Sequence, residues 1–321
     1  MHRALALTGL ALTGLALTGL TLAACSSAPA SLTGPPAASA AAKASGWRPV
    51  DPENLVLIDI ATGTVAIELF PEAAPAHVTQ LRRLLQAHFY DGEFFYRVID
   101  GHVAQAGREF DQRLTDVPTL PFEAERSIST DGFTPLGNAD LFALQAGHRS
   151  GFAVGRQGTQ EWLLNCPGAL GMARDDDPAS GSSEIFIPLQ PRRYLDRNYT
   201  IFGRVIDGME HIHRLPRIEP FTEEETASLF GKDAALADRM EQDRLTRLAR
   251  NRILSARLAA AIPPAARPVY EVMDTASADW AALKASRRDY SAIPAFISPP
   301  PKRFDICSLP VPARLVAPAE P

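Results

Sequence analysis

Phe95-Tyr96-Arg97-Val98-Ile99-Asp100-Gly101-His102-Val103-Ala104-Gln105-Ala106-Gly107 is the stretch on which the reading of this chain turns. With Phe94 ahead of it, its first part is a strand by its run of aromatic and β-branched residues. An arginine inside such an apolar strand is ordinarily a structural ion-pair partner, so its neighbours must say whether Arg97 is more than that. Upstream, Leu55–Ile60 and Val65–Phe70 flank Ala61-Thr62-Gly63 and predict an antiparallel hairpin. Pro71 ends it. Pro75 then opens a helix whose apolar positions Val78, Leu81, Leu84, Leu85 and Phe89 recur at intervals of three and four. Downstream, Ile185–Ile187 and Thr200–Val205 are further short strands, and Met209–Leu215 begins a second helix. Many short strands with two helices and no regular strand–helix alternation predict a closed antiparallel sheet.

The opening stretch resembles the cyclophilin-type peptidyl-prolyl isomerases, and further stretches in order on both sides extend the resemblance. Upstream are Val65–Phe70 with Pro75, then Phe89-Tyr90-Asp91-Gly92. Downstream come Pro167–Ala173, Ser180–Ile187 and Tyr194–Val205, the last running into Ile206-Asp207-Gly208-Met209. The resemblance covers residues 55–215. It implies a mainly-β fold: an eight-stranded closed antiparallel barrel capped by two helices, binding an extended proline-containing peptide in a groove on its outer face. By the same resemblance Arg97 is the catalytic residue and Gln105 holds the substrate backbone. Phe186 and Leu195 wall the proline pocket, and Ala173 offers backbone to the stretched peptide. Several positions depart from the family. His102 stands where a pocket phenylalanine is usual, Val103 for methionine, Arg174 for asparagine and Glu184 for glutamine. Tyr194 and Tyr199 replace tryptophan and histidine, as in bacterial members. The imidazole of His102 should make the pocket less apolar, and Glu184 is expected to add negative charge near Arg97. The segment between Gln105 and Leu170 is markedly longer than in compact members, so it enters beside the groove.

The chemistry asks little of a protein. Rotation about an X–Pro amide has a barrier of about 20 kcal/mol because of its partial double-bond character. Lowering it needs an apolar seat for the pyrrolidine ring, anchors for the backbone on either side, and a charge that favours loss of amide resonance. A guanidinium serves the last purpose because it is always charged and presents a rigid fork. No cofactor and no metal are called for. His211-x-His213 lies at alternate positions of a helix that do not share a face, and Asp175-Asp176-Asp177 lacks the spacing of a calcium loop.

Over 321 residues, 46% are apolar and 21% charged, enough for a packed core, and the net charge of −5 argues against nucleic acid as a partner. His2-Arg3 precedes an uncharged run from Ala4 to Ala24, which ends in Leu22-Ala23-Ala24-Cys25. That end resembles a bacterial lipobox. It implies a signal peptide over 1–24, acylation of Cys25 and anchoring in a lipid bilayer, with Ser26 favouring the outer membrane facing the periplasm. A flexible tether over 25–46, a barrel domain over 47–216 with an insertion at about 109–166, and a C-terminal extension over 217–321 are the expected parts. Thr222 and Glu225 have capping-box spacing for a helix over about 222–260, followed by a proline-rich wrapping tail. Cys166 and Cys307 are either disulfide partners in an oxidising compartment or two small buried apolar residues.

The expected function is isomerisation of X–Pro bonds in unfolded exported proteins. Two other readings stay open. One is a non-catalytic proline-peptide-binding scaffold, suggested by His102, Glu184 and the insertion. The other is a structural envelope lipoprotein that contacts a partner through the helix at 222–260.

Overall fold

The computed structural model describes residues 46–108, 117–129, 131–218, 234–290 and 293–316. The leader, Cys25, nearly all of the tether and the Thr222–Glu225 capping pair lie outside them.

The predicted hairpin forms from β2 (Leu55–Ile60) and β3 (Gly63–Leu69), paired in register from Leu55↔Glu68 to Ile60↔Gly63. Gly63 has φ +146°, and a Cβ there would come within 2.3 Å of the His211 ring, so the turn requires glycine. Pro75 is the first residue of α1 (Pro75–Gln86), whose buried face contains Val78, Leu81, Leu84 and Leu85 as the spacing predicts. Strands β4 (Phe94–Val98), β5 (Val103–Gly107), β11 (Ala169–Met172), β12 (Ile185–Pro188) and β13 (Ile201–Asp207) follow in the chain, with α2 (Met209–His213) after β13.

An eighth strand completes the barrel, and it comes from an unexpected place. After α3 (Ala234–Arg250), β14 (Ile253–Leu258) pairs with β2, giving the antiparallel order β14-β2-β3-β13-β11-β12-β5-β4. Its two ends meet through Phe95 N donating to Asn251 O (3.0 Å) and Ile253 N to Glu93 O (2.8 Å). The helix expected to reach about 260 therefore stops at Arg250, and the barrel extends beyond the boundary placed at 216. Ile253 fits the helical spacing of Leu245 and Leu248, which hides the change of period. In the strand, Ile253, Ala256 and Leu258 are the buried residues, with a register shift between Ile253 and Ser255. Of the helix's expected apolar face, Leu248 is buried against Tyr96 and Ile218, whereas Met240 and Leu245 are exposed.

The insertion is a sheet of its own. Strands β6 (Arg126–Ser127), β7 (Phe133–Pro135), β8 (Gln145–Arg149), β9 (Phe152–Gln157) and β10 (Gln160–Leu163) pair in the order β6-β10-β9-β8-β7. Polar groups hold it together. Glu161, 1% exposed, accepts from Arg149 Nε (2.7 Å) and Arg126 Nη2 (2.9 Å). Glu123, also in the insertion, accepts from Ala76 N (3.1 Å) and His77 N (3.2 Å), which serves the free donors at the start of α1. Phe152 stacks on Phe70 with ring centroids 4.6 Å apart, fixing the sheet beside the barrel.

The tail closes a second core. Strands β1 (Trp47–Pro49), β15 (Val269–Met273) and β16 (Ala313–Val316) form a three-stranded sheet, and α4 (Ala278–Ser286) buries Trp280 completely. Leu55 and Leu57 face this second core while Val56 and Ile58 face the barrel interior. Both faces of β2 are thus covered, and its sequence is apolar without alternation. Cys166 and Cys307 are bonded, with Cα atoms 4.9 Å apart, so of the two readings of this pair the disulfide is the one found.

His148 is buried in the same region, its ring 4.9 Å from that of Trp280. Burial, and then the positive charge of Arg204, push its pKa down to about 3, so it is neutral in the folded protein. Unfolding restores an ordinary histidine near pH 6.5, and the unfolded chain then binds more protons below that pH. Stability from this group is therefore complete above pH 6.5 and falls as pH drops towards 3. From pH 7 to pH 5 the loss is about 2 kcal/mol. Urea unfolding at the two pH values should show this decline in the wild type and a shallower one in His148→Gln. Equal declines would contradict the assignment.

Candidate active site

The site grows out of an irregularity in β4. Phe94 pairs with Gly107 and Arg97 with Gln105, so one extra residue sits on β4 between the two pairs. Phe95 and Val98 both fill the barrel interior, which leaves Tyr96 and Arg97 side by side on the outside. Next in the sheet, Gln105 pairs with Phe186 of β12, and Phe186 with Gly171 of β11. Directly paired residues share a face, so guanidinium, amide and aromatic ring form one row across three strands. The row ends on bare backbone: a Cβ at Gly171 would lie 2.4 Å from the Phe186 ring.

Hydrogen bonds orient the row. Arg97 Nη1 donates to Gln105 Oε1 (3.3 Å), and Gln105 Nε2 donates to Tyr96 Oη (2.5 Å). The Tyr96 hydroxyl in turn bonds the Glu184 carboxylate, and burial together with this carboxylate drives its pKa far above the ordinary tyrosine value. Glu184 is buried and lies over Gly107, where a Cβ would come within 2.5 Å of Oε1. The negative charge expected beside Arg97 is thus connected to it through Tyr96 and Gln105. Both ends of the Gln105 amide are set by this chain.

The apolar residues gather beside the row. Val103 and Phe186 belong to one cluster, with Ala173 and Tyr199 packed on its edge. The Tyr199 ring meets Phe186 edge-on at 5.6 Å. Phe152, Val154 and Leu163 of the insertion join the same cluster. Arg174 lies over Tyr199, its Cζ 4.7 Å from the ring, and donates through Nε to Asn198 O (2.9 Å). Ala173 gives its N–H to Glu184 O (2.7 Å). Leu195 is half-buried and Tyr194 exposed on the short 3₁₀ turn Arg193–Leu195. His102 is half-buried in the turn before β5, where its carbonyl accepts from Leu189 N (2.8 Å).

Tyr96 and the insertion's Phe152 are the residues that sequence reasoning missed. Strict alternation along β4 would place Tyr96 away from Arg97, and only the register reveals the bulge. Chemically, the outer face offers a fixed positive fork and an amide with its carbonyl and NH₂ oriented, beside a Phe186 ring that is 4% exposed. None of these is a nucleophile. The set suits a reaction in which charge redistributes within an amide and no bond to the protein forms.

The comparisons with known proteins agree with this geometry. The sequence profile of the cyclophilin type peptidyl-prolyl cis-trans isomerase/CLD family matches residues 55–229. A probable peptidyl-prolyl cis-trans isomerase of Brucella suis is 31% identical over 193 residues, 60% of this chain and 85% of its relative. Peptidyl-prolyl cis-trans isomerase ppi1 of Schizosaccharomyces pombe is 31% identical over 160 residues, 50% of this chain and 83% of that protein. The crystal structure of cyclophilin AquaCyp293 from Hirschia baltica superposes with a TM-score of 0.66 at 27% identity, covering 84% of this chain and 93% of that one. With the profile matched over more than half its length and an Arg97–Gln105–Phe186 row on its barrel, the chain belongs to the cyclophilin-type peptidyl-prolyl cis-trans isomerase family.

Proposed function

We propose that this isomerase acts on X–Pro bonds of exported proteins as they fold, from an anchor at the cell envelope. The Arg97–Gln105–Phe186 row carries the catalytic part of the reading: Arg97 faces the prolyl nitrogen, Gln105 holds the neighbouring backbone, and the ring seats against Phe186 and Leu195. Proline-containing segments of unfolded chains are the substrates. Support for the setting comes from two observations of different kind. The Cys166–Cys307 disulfide suits an oxidising compartment, and Leu22-Ala23-Ala24-Cys25 ends an uncharged N-terminal run in the manner of a lipoprotein leader. Acyl chains on Cys25 would hold the protein to the bilayer, each buried methylene adding about 0.8 kcal/mol, and the outer membrane facing the periplasm is the proposed site.

Labelling of cells with a radioactive fatty acid tests the anchor, and a refolding assay tests the substrate. Label is expected on the wild-type chain and not on Cys25→Ser. An exported protein whose refolding is limited by a proline isomerisation should refold at least several-fold faster with the enzyme present. Unlabelled wild type would remove the anchor, and an unchanged slow phase would remove the folding role.

A further inference from the structure

One surface of the insertion has no part in the row described above. Leu141, Phe142 and Leu144 are 94%, 52% and 74% exposed, and Tyr194 is 60% exposed. Clustered apolar side chains left in water are costly unless something covers them. The loop that carries them is tightly held. Asp140 accepts from Phe142 N (2.9 Å) and Ala143 N (3.0 Å), fixing the turn. Arg193 then grips Asp140 with both terminal nitrogens (3.0 and 2.9 Å) and reaches Asp196 through Nε (2.5 Å). The side chains of Arg193 and Asp140 are 2% and 4% exposed. At the foot of the loop, Asn138 Nδ2 donates to Phe304 O (3.0 Å). A buried bidentate pair and an anchored base hold three apolar side chains outward, where a loose loop would fold them in.

Arg193 also says where this surface leads. Its guanidinium lies 5.2 Å from the Phe142 ring, and its backbone opens the turn that carries Tyr194 and Leu195. On the reading given above, in which Leu195 walls the proline pocket, the apolar loop adjoins that wall through Arg193. We propose that Leu141, Phe142 and Leu144, with Tyr194, form a shelf that binds an apolar stretch of the substrate chain flanking the isomerised proline. The preferred substrate is then a hydrophobic unfolded segment, not an isolated prolyl turn. This rests on the reading of the groove given above and adds its substrate class. The charged groups that build the shelf are buried and paired, so its exposed part is apolar and suits leucine- or phenylalanine-rich chain.

Three peptides test it: a short Ala-Ala-Pro-Ala peptide, the same core extended on both sides with Leu and Phe, and the core extended with Ser and Asn. Half-saturating concentrations come from NMR titration and exchange rates from exchange spectroscopy. Wild type is expected to half-saturate at least fivefold lower with the Leu/Phe peptide than with the Ser/Asn peptide. The triple substitution Leu141→Ser, Phe142→Ser and Leu144→Ser should abolish most of that preference. Leu141→Ser alone, at the most exposed position, should reduce it in a protein with unchanged circular dichroism. No preference in wild type, or a preference kept by the triple variant, overturns the shelf. Vesicles of phosphatidylethanolamine and phosphatidylglycerol, tested with full-length Cys25→Ser, provide the competing occupant. Co-sedimentation that depends on the three residues, with peptide preference unaffected by them, overturns the proposal in favour of a membrane contact. The short peptide reports on the isomerase itself: if wild type accelerates none of the three, the catalytic reading fails and the shelf is still judged by the affinities.

Discussion

Removal of the Cys166–Cys307 bond, by reduction or by Cys307→Ser, is expected to lower the free energy of unfolding by about 3–5 kcal/mol. The bond closes a loop across a sequence separation of 141 residues. For that separation the chain-entropy relation gives about 5 kcal/mol, and relaxation around the missing link brings the expected value somewhat lower. The location also matters. Cys166 lies ahead of the strand that carries Gly171, separated from it by Pro167 and Gly168, and Cys307 lies on the turn between Ile306 and Leu309, two buried residues of the second core. Without the bond, the tail must keep Trp280, Tyr270 and Val311 in place by noncovalent contacts, among them Tyr270 Oη donating to Asp207 Oδ2 (2.9 Å) and Arg204 Nη1 donating to Val311 O (3.1 Å). A fall of roughly 10 °C in the thermal midpoint is the expected reading for a protein of this size. Protease sensitivity in the tail should rise with it. Unchanged midpoints with and without reductant would contradict the view that the tail is pinned through this cysteine pair.

Arg97→Ala is expected to lower kcat/KM for a proline peptide by about 10²–10³-fold, the scale on which removal of one preorganised charge-stabilising donor is felt. The side chain sits on the outside of the barrel, bonded to Gln105, while Phe95 and Val98 on either side of the bulge fill the core. Its loss should therefore spare the fold. Arg97→Lys keeps the charge but gives up the planar fork, so it should recover only a small part of the activity. A variant that loses rate together with thermal stability would point to a structural ion-pair role. Loss of rate at constant stability is the expected pattern.

The hairpin and the strands around residues 94–99, 185–187 and 200–205 were legible as short apolar runs, the hairpin's two strands separated by a turn, and the first helix by its spacing of three and four; their order carried the family resemblance. So were Arg97, Gln105 and Phe186, which the register then lines up across neighbouring strands. Tyr96 was not legible: a bulge moves it to the outer face, and a bulge leaves no mark in apolar periodicity. The closing strand Ile253–Leu258 was concealed for a related reason, since Ile253 continues the helical spacing of the residues before it. In the insertion the difficulty is chemical. Glu161, Arg149 and Arg156 are buried, yet as sequence they look like solvated surface, and their pairing is visible only once the strands are side by side. The disulfide is a matter of distance between two residues far apart in the chain, which no local pattern encodes. Leu141-Phe142-Ala143-Leu144 is the converse case. It reads as a short apolar run and places three side chains in solvent.

The central claim is that a guanidinium held in a row with an amide and an aromatic ring eases rotation about a prolyl amide. Two-dimensional NMR exchange spectroscopy on an Ala-Pro-containing peptide, with catalytic amounts of the full-length protein, tests it without any coupled protease. Wild type should produce cis–trans exchange cross-peaks at mixing times where the free peptide shows none, and Arg97→Ala, folded and still binding the peptide, should return them to background. Cross-peaks of equal intensity for the two proteins would contradict the claim.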